Sequence, residues 1–384
     1  NKLIFEEINH DLQLKFSYGW YMSDRFGIVR KTVLTNLGDA QVRLEILDGI
    51  RNILPWGIQR LQQMTLSTLM DAYKKSELEE TSGVAIYSLS SIPVDRAEPS
   101  ESLRANVVWN TGLNPDSILL SNSQINDFIY GNAIGAEIDI RAKRGAYLLN
   151  KTLALDPEET CKWMIIADVN KTSSDLHAIL DCDLGTISTE IEMDIDAGSR
   201  NLDILVGSAD GIQLSASTSS VNRHFSNTLF NIMRGGTFQY NYSLPRSDFQ
   251  KHLYSLNNSF PEKYSNLLQT LPEDMEFSQL QDVIDKTDDI DLTRAIYEYL
   301  PLIFGRRHGD PSRPWNLFSI NIRDAAGQKV LSFEGNWRDI FQNWEALSIS
   351  YPGFLNNMIA KFLNASTPDG YNPYRINRDG IDWE

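Results

Sequence analysis

Past residue 305 the sequence concentrates side chains that could bind a small polar molecule into three stretches. Residues 306–316 hold three arginines and His308 within eight positions, followed by Trp315. Residues 335–343 carry Trp337-Arg338-Asp339 and Asn343. Residues 367–384 carry Tyr371, Tyr374 and Trp383 among Asp379, Asp382 and Glu384. Carboxylates and arginines hydrogen-bond vicinal hydroxyls two at a time, and an aromatic ring can cover the C–H face of a pyranose. The candidate substrate contacts are therefore Trp337, Arg338, Asp339, Asn343, Arg313, Trp315, Tyr371 and Tyr374.

Each stretch also has a structural reading. Asp339 near a helix start is favoured there by the helix dipole, with or without a ligand. Arg306, Arg307 and Arg313 could form an anion site, or pair with Asp310, Asp324 and other acids of an acidic chain. Asp379, Asp382 and Glu384 near Trp383 loosely fit the need of glycosidic chemistry for a carboxylic proton donor, and equally fit a solvated acidic loop. His308 with Tyr371 or Tyr374 would be the pair for a lyase. Phosphate-cradling glycine loops, His-Glu-x-x-His, Gly-x-Ser-x-Gly and calcium-loop patterns do not occur. His10, His177, His224, His252 and His308 are scattered, and no metal site or other cofactor is expected.

These residues need elements to position them. Strand-like alternation predicts strands over 12–21, 28–35 and 42–47, then 84–89, 103–109, 136–142, 146–155 and 163–168. Helical spacing predicts one helix over 58–75, with Leu61, Met64, Leu69 and Tyr73 on one face. Further helices are expected over 186–205, 220–233, 292–304 with Asp291 as cap, 340–349 and 353–363. Residues 261–287 read as short helices or linker. A hairpin is expected over 318–322 and 329–333, and 367–384 reads as loop.

The chain has 384 residues, 42% hydrophobic and 22% charged, enough to bury a sizeable core. A formal net charge of -16 argues against nucleic acid and anionic membranes as partners. Cys161 and Cys182 are too few for a disulfide framework and are expected as partly buried thiols, which fits a reduced cytoplasm; a cysteine-poor periplasmic protein has the same composition. No apolar run is long enough for a transmembrane helix.

Two segments carry a family likeness. Asn36-Leu37-Gly38-Asp39 with the run from Leu47-Asp48-Gly49 to Leu54-Pro55 resembles the N-terminal sandwich of cellobiose-phosphorylase-like proteins. The run from Gly335 to Asn343 is similar to the Arg-Asp-x-x-Gln-Asp stretch opening that family's (α/α) toroid. The resemblance implies a mainly β fold with α: a mutarotase-like β-sandwich over 1–175, a helix-rich linker with possible returning strands over 176–300, and the start of an (α/α)6 toroid, truncated, over 301–384. It implies that Arg338 and Asp339 hold the non-reducing-end sugar, with Asn343 standing where the family has its second Asp. The family's general acid lies in an Asp-Trp-Asn-Asp type motif, absent here. The chain is thus expected to be the front part of a glycoside phosphorylase or hydrolase acting on β-glucoside-type sugars, with inorganic phosphate as a possible co-substrate. The rest of the polypeptide or a second chain would complete the toroid, and the sandwich could form a homodimer. The alternative is a non-catalytic carbohydrate-binding or assembly module.

Overall fold

The computed structural model describes residues 3–94, 98, 100–303, 323–324 and 330–383. They divide into two units, Asn1–Arg200 and Asn201–Glu384.

The first unit contains β1 (Leu3–Asn9), β2 (Leu14–Ser23), β3 (Gly27–Asn36), β4 (Val42–Ile53), β5 (Lys74–Glu79), β6 (Val84–Leu89), β7 (Ala105–Thr111), β8 (Ser117–Ser121), β9 (Asp139–Arg141), β10 (Gly145–Leu155) and β11 (Thr160–Lys171). Two antiparallel sheets result, ordered β1-β2-β3-β11-β7-β6-β5-β9 and β4-β10-β8. Alternation along each strand sends one set of side chains inward. Leu34, Tyr87, Val108, Trp163 and Ile165 of the larger sheet share a core with Leu120, Tyr147, Leu149 and Leu155 of the smaller. That is a β-sandwich, as expected. The opposite face of the large sheet buries Val29, Val107, Trp109 and Ile166 under Leu184, Ile187, Ile191 and Ile195.

A buried, charged clasp is among the polar contacts that join the two sheets. The Arg30 guanidinium forks onto Asp48, with Nη1 at 2.6 Å and Nη2 at 2.8 Å. Trp163 Nε1 donates to the same carboxylate at 2.8 Å, and Arg30 lies over the Tyr18 ring. Beside Asp48, a Cβ on Gly49 would lie 1.9 Å from the Tyr147 carbonyl oxygen, so only glycine lets β4 and β10 approach.

Two expectations for this unit need correction, and one strand carries no signal in the sequence. Edge strand β1, exposed along its length, has no buried face to imprint a pattern on the sequence. Residues 58–75 are not one helix. They form α1 (Arg60–Thr65) and α2 (Ser67–Ala72), broken at Leu66, before Lys74 enters β5. Lys74 is buried, its Nζ bonded to Gln63 and Asp71, and Met70 faces the interior while Leu61, Met64 and Leu69 are exposed. Cys182 is exposed rather than partly buried, after the short helices α3 (Ile125–Ile129) and α4 (Ser173–Leu180).

Helix α5 (Ser188–Ser208) contains the unit boundary, and α6 (Thr218–Gly235) follows. The second unit adds β12 (Thr237–Phe238), β13 (Ser243–Pro245), α7 (Arg246–Leu256), α8 (Phe260–Lys263), α9 (Ser265–Thr270), β14 (Asp274–Glu276), α10 (Phe277–Lys286), α11 (Ile290–Tyr297) and β15 (Leu302–Ile303). After these come β16 (Glu334–Asn336), α12 (Trp337–Ser350), α13 (Leu355–Ala365), β17 (Arg375–Asn377) and β18 (Ile381–Asp382). Phe249, Leu253, Leu280, Ile296, Trp344 and Phe354 belong to one core.

The helix expected over 292–304 stops at Tyr297. Pro301 disfavours helical geometry at Leu300, and Ile303 pairs with Thr237 instead. Its cap is Asp289, which accepts from the N–H groups of Asp291 and Leu292. The stretch 367–384 is not all loop, since β17 and β18 lie within it. Most of the hairpin expected over 318–333 lies outside the described residues. Past residue 330 the described helices are α12 and α13, with a 3-10 turn between them, which is consistent with the few opening helices expected of a toroid.

Replacing Asp48 with Ala strands a buried guanidinium and should cost about 3–5 kcal/mol, whereas replacing both Arg30 and Asp48 by apolar residues should cost less; denaturant unfolding of the two variants checks the order. In the second unit, burial drives the His252 pKa down to about 3, against the hydrogen bond to the Ala295 carbonyl. The unfolded chain takes up that proton near pH 6.5 and the folded chain does not. This contribution is full above 6.5 and shrinks as pH falls toward 3, by about 1.3 kcal/mol between pH 7 and 5.5. Urea melts at these pH values should show that loss, and His252→Gln should remove it.

Candidate functional site

The second unit builds one open cavity of about 770 Å3 from two chain segments that a small sheet holds side by side. Strand β17 lies between β16 and β18, with Asn336 opposite Arg375 and Arg375 opposite Asp382. Beyond the β16–β17 pair, the Trp337 N–H donates to the Tyr374 carbonyl at 3.0 Å. The start of α12 therefore faces the loop that enters β17, and Trp383 leaves β18 on the same side of the register. Asn336, Trp337, Arg338 and Asp339 form one wall. Asn372, Pro373, Tyr374 and Trp383 form the other.

Ion pairs and packing stiffen this arrangement. Arg375 bonds Glu334 at 2.8 Å and approaches Asp382 at 3.9 Å, linking both neighbours of its strand. Arg378 pairs with Asp248 on α7 at 2.8 Å, and both side chains are nearly buried. The Tyr299 hydroxyl donates to Asp248 at 2.8 Å; burial and that carboxylate push the phenol well above its ordinary range. Arg378 also donates to the Leu331 carbonyl, and Lys361 donates to the Arg378 carbonyl at 3.3 Å. Burial pushes the Lys361 ammonium below its usual range. The β17–β18 hairpin is thus tied to α7 and α13 by charge-assisted hydrogen bonds.

Helix α12 is fixed from behind. Trp344 Nε1 donates to the Gly235 carbonyl at 2.6 Å, and Trp337 meets Phe362 edge-on at 4.8 Å. In its first turn Arg338 is exposed while Asp339 is 9% exposed. The two side chains place a guanidinium and a carboxyl group on one wall.

The structure brings together Trp337, Arg338, Asp339 and Tyr374 of the sequence-derived candidates. Asn343 does not join them. One turn on, it is buried against α6, its Nδ2 donating to the Asp339 carbonyl at 2.6 Å, and it lines a separate cavity of about 200 Å3. Tyr371 is exposed in the turn closed by Thr367 and is not part of the cavity wall. Arg313, Trp315, His308 and Glu384 lie outside the described residues. Asp379 lines another cavity, of about 360 Å3, and Asp382 faces Arg375. Asn336, Asn372, Pro373 and Trp383 were not among the candidates. The Asn372-Pro373 pair is a turn signal and Asn336 a cap signal, and either could have marked a cavity rim. Among the described residues no cluster of three His, Cys, Asp or Glu could hold a metal ion, and no helix is long and apolar enough to cross a membrane.

Residues 238–301 match the model of the Glycoside hydrolase family 149 insertion domain 1. This agrees with the glycoside phosphorylase/hydrolase likeness read from the sequence. The matched segment holds α7 to α11, including Asp248 and Tyr299, and excludes the residues that line the cavity. A protein described as a kojibiose phosphorylase from the human microbiome is similar over 67% of this chain and 26% of its own, with 11% identity and a TM-score of 0.25. A galactose mutarotase-like protein from Clostridium acetobutylicum is similar over 44% of this chain and 62% of its own, with 10% identity and a TM-score of 0.21. The chain therefore spans less than two thirds of the length of either. No curated protein matches it.

The close approach of α6 and α12 supplies a test of what fixes the site. A Cβ on Gly235 would lie 2.5 Å from the Asn343 Cβ, an atom that cannot move without its helix. Gly235→Ala should cost about 1–3 kcal/mol in thermal or denaturant unfolding.

Proposed function

We propose that this chain is the front part of a carbohydrate-active enzyme, a glycoside phosphorylase or hydrolase acting on β-glucoside-type sugars, and that the α12 cavity is part of its sugar subsite. The observation that carries this is the meeting of Trp337, Arg338, Asp339, Tyr374 and Trp383 on one cavity of about 770 Å3. Three aromatic residues offer surfaces for C–H faces, and Arg338 and Asp339 offer a donor and an acceptor for hydroxyls. The match over residues 238–301 supports the same class.

The cavity supplies binding rather than proton transfer. Cleavage or phosphorolysis of a glycosidic bond wants a carboxylic acid that gives up a proton to the leaving oxygen. Asp339 is the one carboxylate among the described lining residues, so no second carboxylate on this wall could share acid and base roles with it. On this reading the general acid comes from a part of the enzyme outside this wall, and inorganic phosphate, if used, binds there too. In the full-length protein Arg338→Ala should weaken binding of methyl β-glucoside or cellobiose at least about tenfold, the loss of one charge-assisted hydrogen bond. Its melting temperature should hold, because Arg338 is exposed. Calorimetric affinity unchanged by the substitution overturns the assignment, and binding without turnover by the full-length protein favours a carbohydrate-binding module.

A further inference from the structure

We infer that Trp383 is a specificity-determining residue of the α12 cavity, selecting a ligand of two linked sugar rings over a single ring; the inference rests on the sugar-subsite reading. Strand pairing places the residue. Arg375 lies opposite Asp382, and the Asn377 N–H donates to the Gly380 carbonyl, so the same register sets Tyr374 opposite Trp383. Asn336 lies opposite Arg375, and the Trp337 N–H donates to the Tyr374 carbonyl, so Trp337 stands beside Tyr374 on its other side. Residues opposite one another in antiparallel strands project to the same face. Trp337, Tyr374 and Trp383 therefore make one aromatic row across the end of the sheet, and all three line the cavity. The charged side chains alternate away from this row: Arg375 bonds Glu334 and approaches Asp382 on the opposite face. Tyr374 is 47% exposed and Trp383 48%, values that residues of this size reach only with ring surface open. Trp337 is half-buried, its ring edge-on against Phe362.

The row has two unlike ends. Arg338 and Asp339 follow Trp337 directly, so the charged hydrogen-bonding groups gather at the α12 end. Trp383 ends the row with an uncharged ring. Neighbouring strands lie about 4.8 Å apart, so the row is about 10 Å long, roughly two pyranose rings side by side. One pyranose held by Arg338 and Asp339 covers the α12 end and leaves Trp383 bare. A second ring linked to it reaches Trp383, and its C–H face takes open indole surface out of water. Trp383 thus responds to the presence of the second ring more than to the position of any one hydroxyl.

Calorimetry on the full-length protein tests this with methyl β-glucoside, cellobiose and the other β-linked glucose disaccharides, comparing Trp383→Ala, Trp383→Leu and Arg338→Ala. Leu fills space without a flat ring face, so it holds the hairpin if Ala does not. The wild type should bind its best disaccharide at least about tenfold more tightly than methyl β-glucoside. Both Trp383 variants should weaken that disaccharide about tenfold and leave methyl β-glucoside within about twofold, whereas Arg338→Ala should weaken the two alike. Trp383 variants that weaken both sugars alike, or neither, overturn the role of Trp383 and leave the sugar site standing. So does a wild type that prefers no disaccharide to methyl β-glucoside. A wild type that binds none of these sugars overturns both readings.

Discussion

The buried pair between Arg378 and Asp248 is the constraint on which the cavity depends. A guanidinium taken out of water must find its charge and its hydrogen bonds inside the protein. Arg378 finds them in Asp248, in the Leu331 carbonyl and in the Asp248 carbonyl, while Tyr299 takes the other carboxylate oxygen. These bonds hold down a hairpin made of two very short strands, which could not stand alone. Tyr374 precedes that hairpin and Trp383 follows it. The segment matched to a glycoside hydrolase insertion domain contributes Asp248 and Tyr299, and no lining residue of the cavity. It acts on the site by holding the hairpin rather than by touching what binds.

The sandwich uses a similar device for a different end. Hydrophobic burial between two sheets is non-directional and tolerates sliding. The fork from Arg30 to Asp48 and the indole N–H of Trp163 join β3, β4 and β11 at one point, so one register satisfies all three. Next to that point, Gly49 leaves room for the Tyr147 carbonyl where a Cβ would clash. The segment around Asp48 and Gly49, which carries the family likeness in sequence, is on this evidence architectural.

What was legible in the sequence follows from how strongly each residue's surroundings constrain it. Strands buried on one face, such as β3 and β6, announce themselves by alternation. Strand β1 does not, because neither face is covered, and β5 does not, because its inward positions include Lys74 and Ser76, buried through hydrogen bonds or tight packing. The apolar spacing of α11 continues past its end at Tyr297, because Pro301 stops helical geometry without interrupting the pattern of apolar residues. At the site, the helix start at Trp337-Arg338-Asp339 was visible as a motif. That Asn372, Pro373 and Trp383 face it was not, because the pairing of β16, β17 and β18 places them, and strands of two or three residues leave no periodic trace. Asn343 shows the limit of spacing arguments: four residues from Asp339 puts it on the same helical face, but the close contact with Gly235 turns that part of the face to α6.

The charge pattern of the cavity narrows what it can do. Arg338 is matched within one position by Asp339, and the wall otherwise carries amides, rings and a proline. An anion-binding wall would show unopposed positive groups at the helix end, where backbone N–H groups already attract negative charge. Here a carboxylate occupies the first turn and uses that attraction itself. On the proposed reading, donors and acceptors beside aromatic surface suit a neutral, hydroxyl-rich ring better than a charged one. On the same reading, specificity comes from the placement of hydrogen bonds, because each polar group that a wrong ligand leaves unpaired is a penalty.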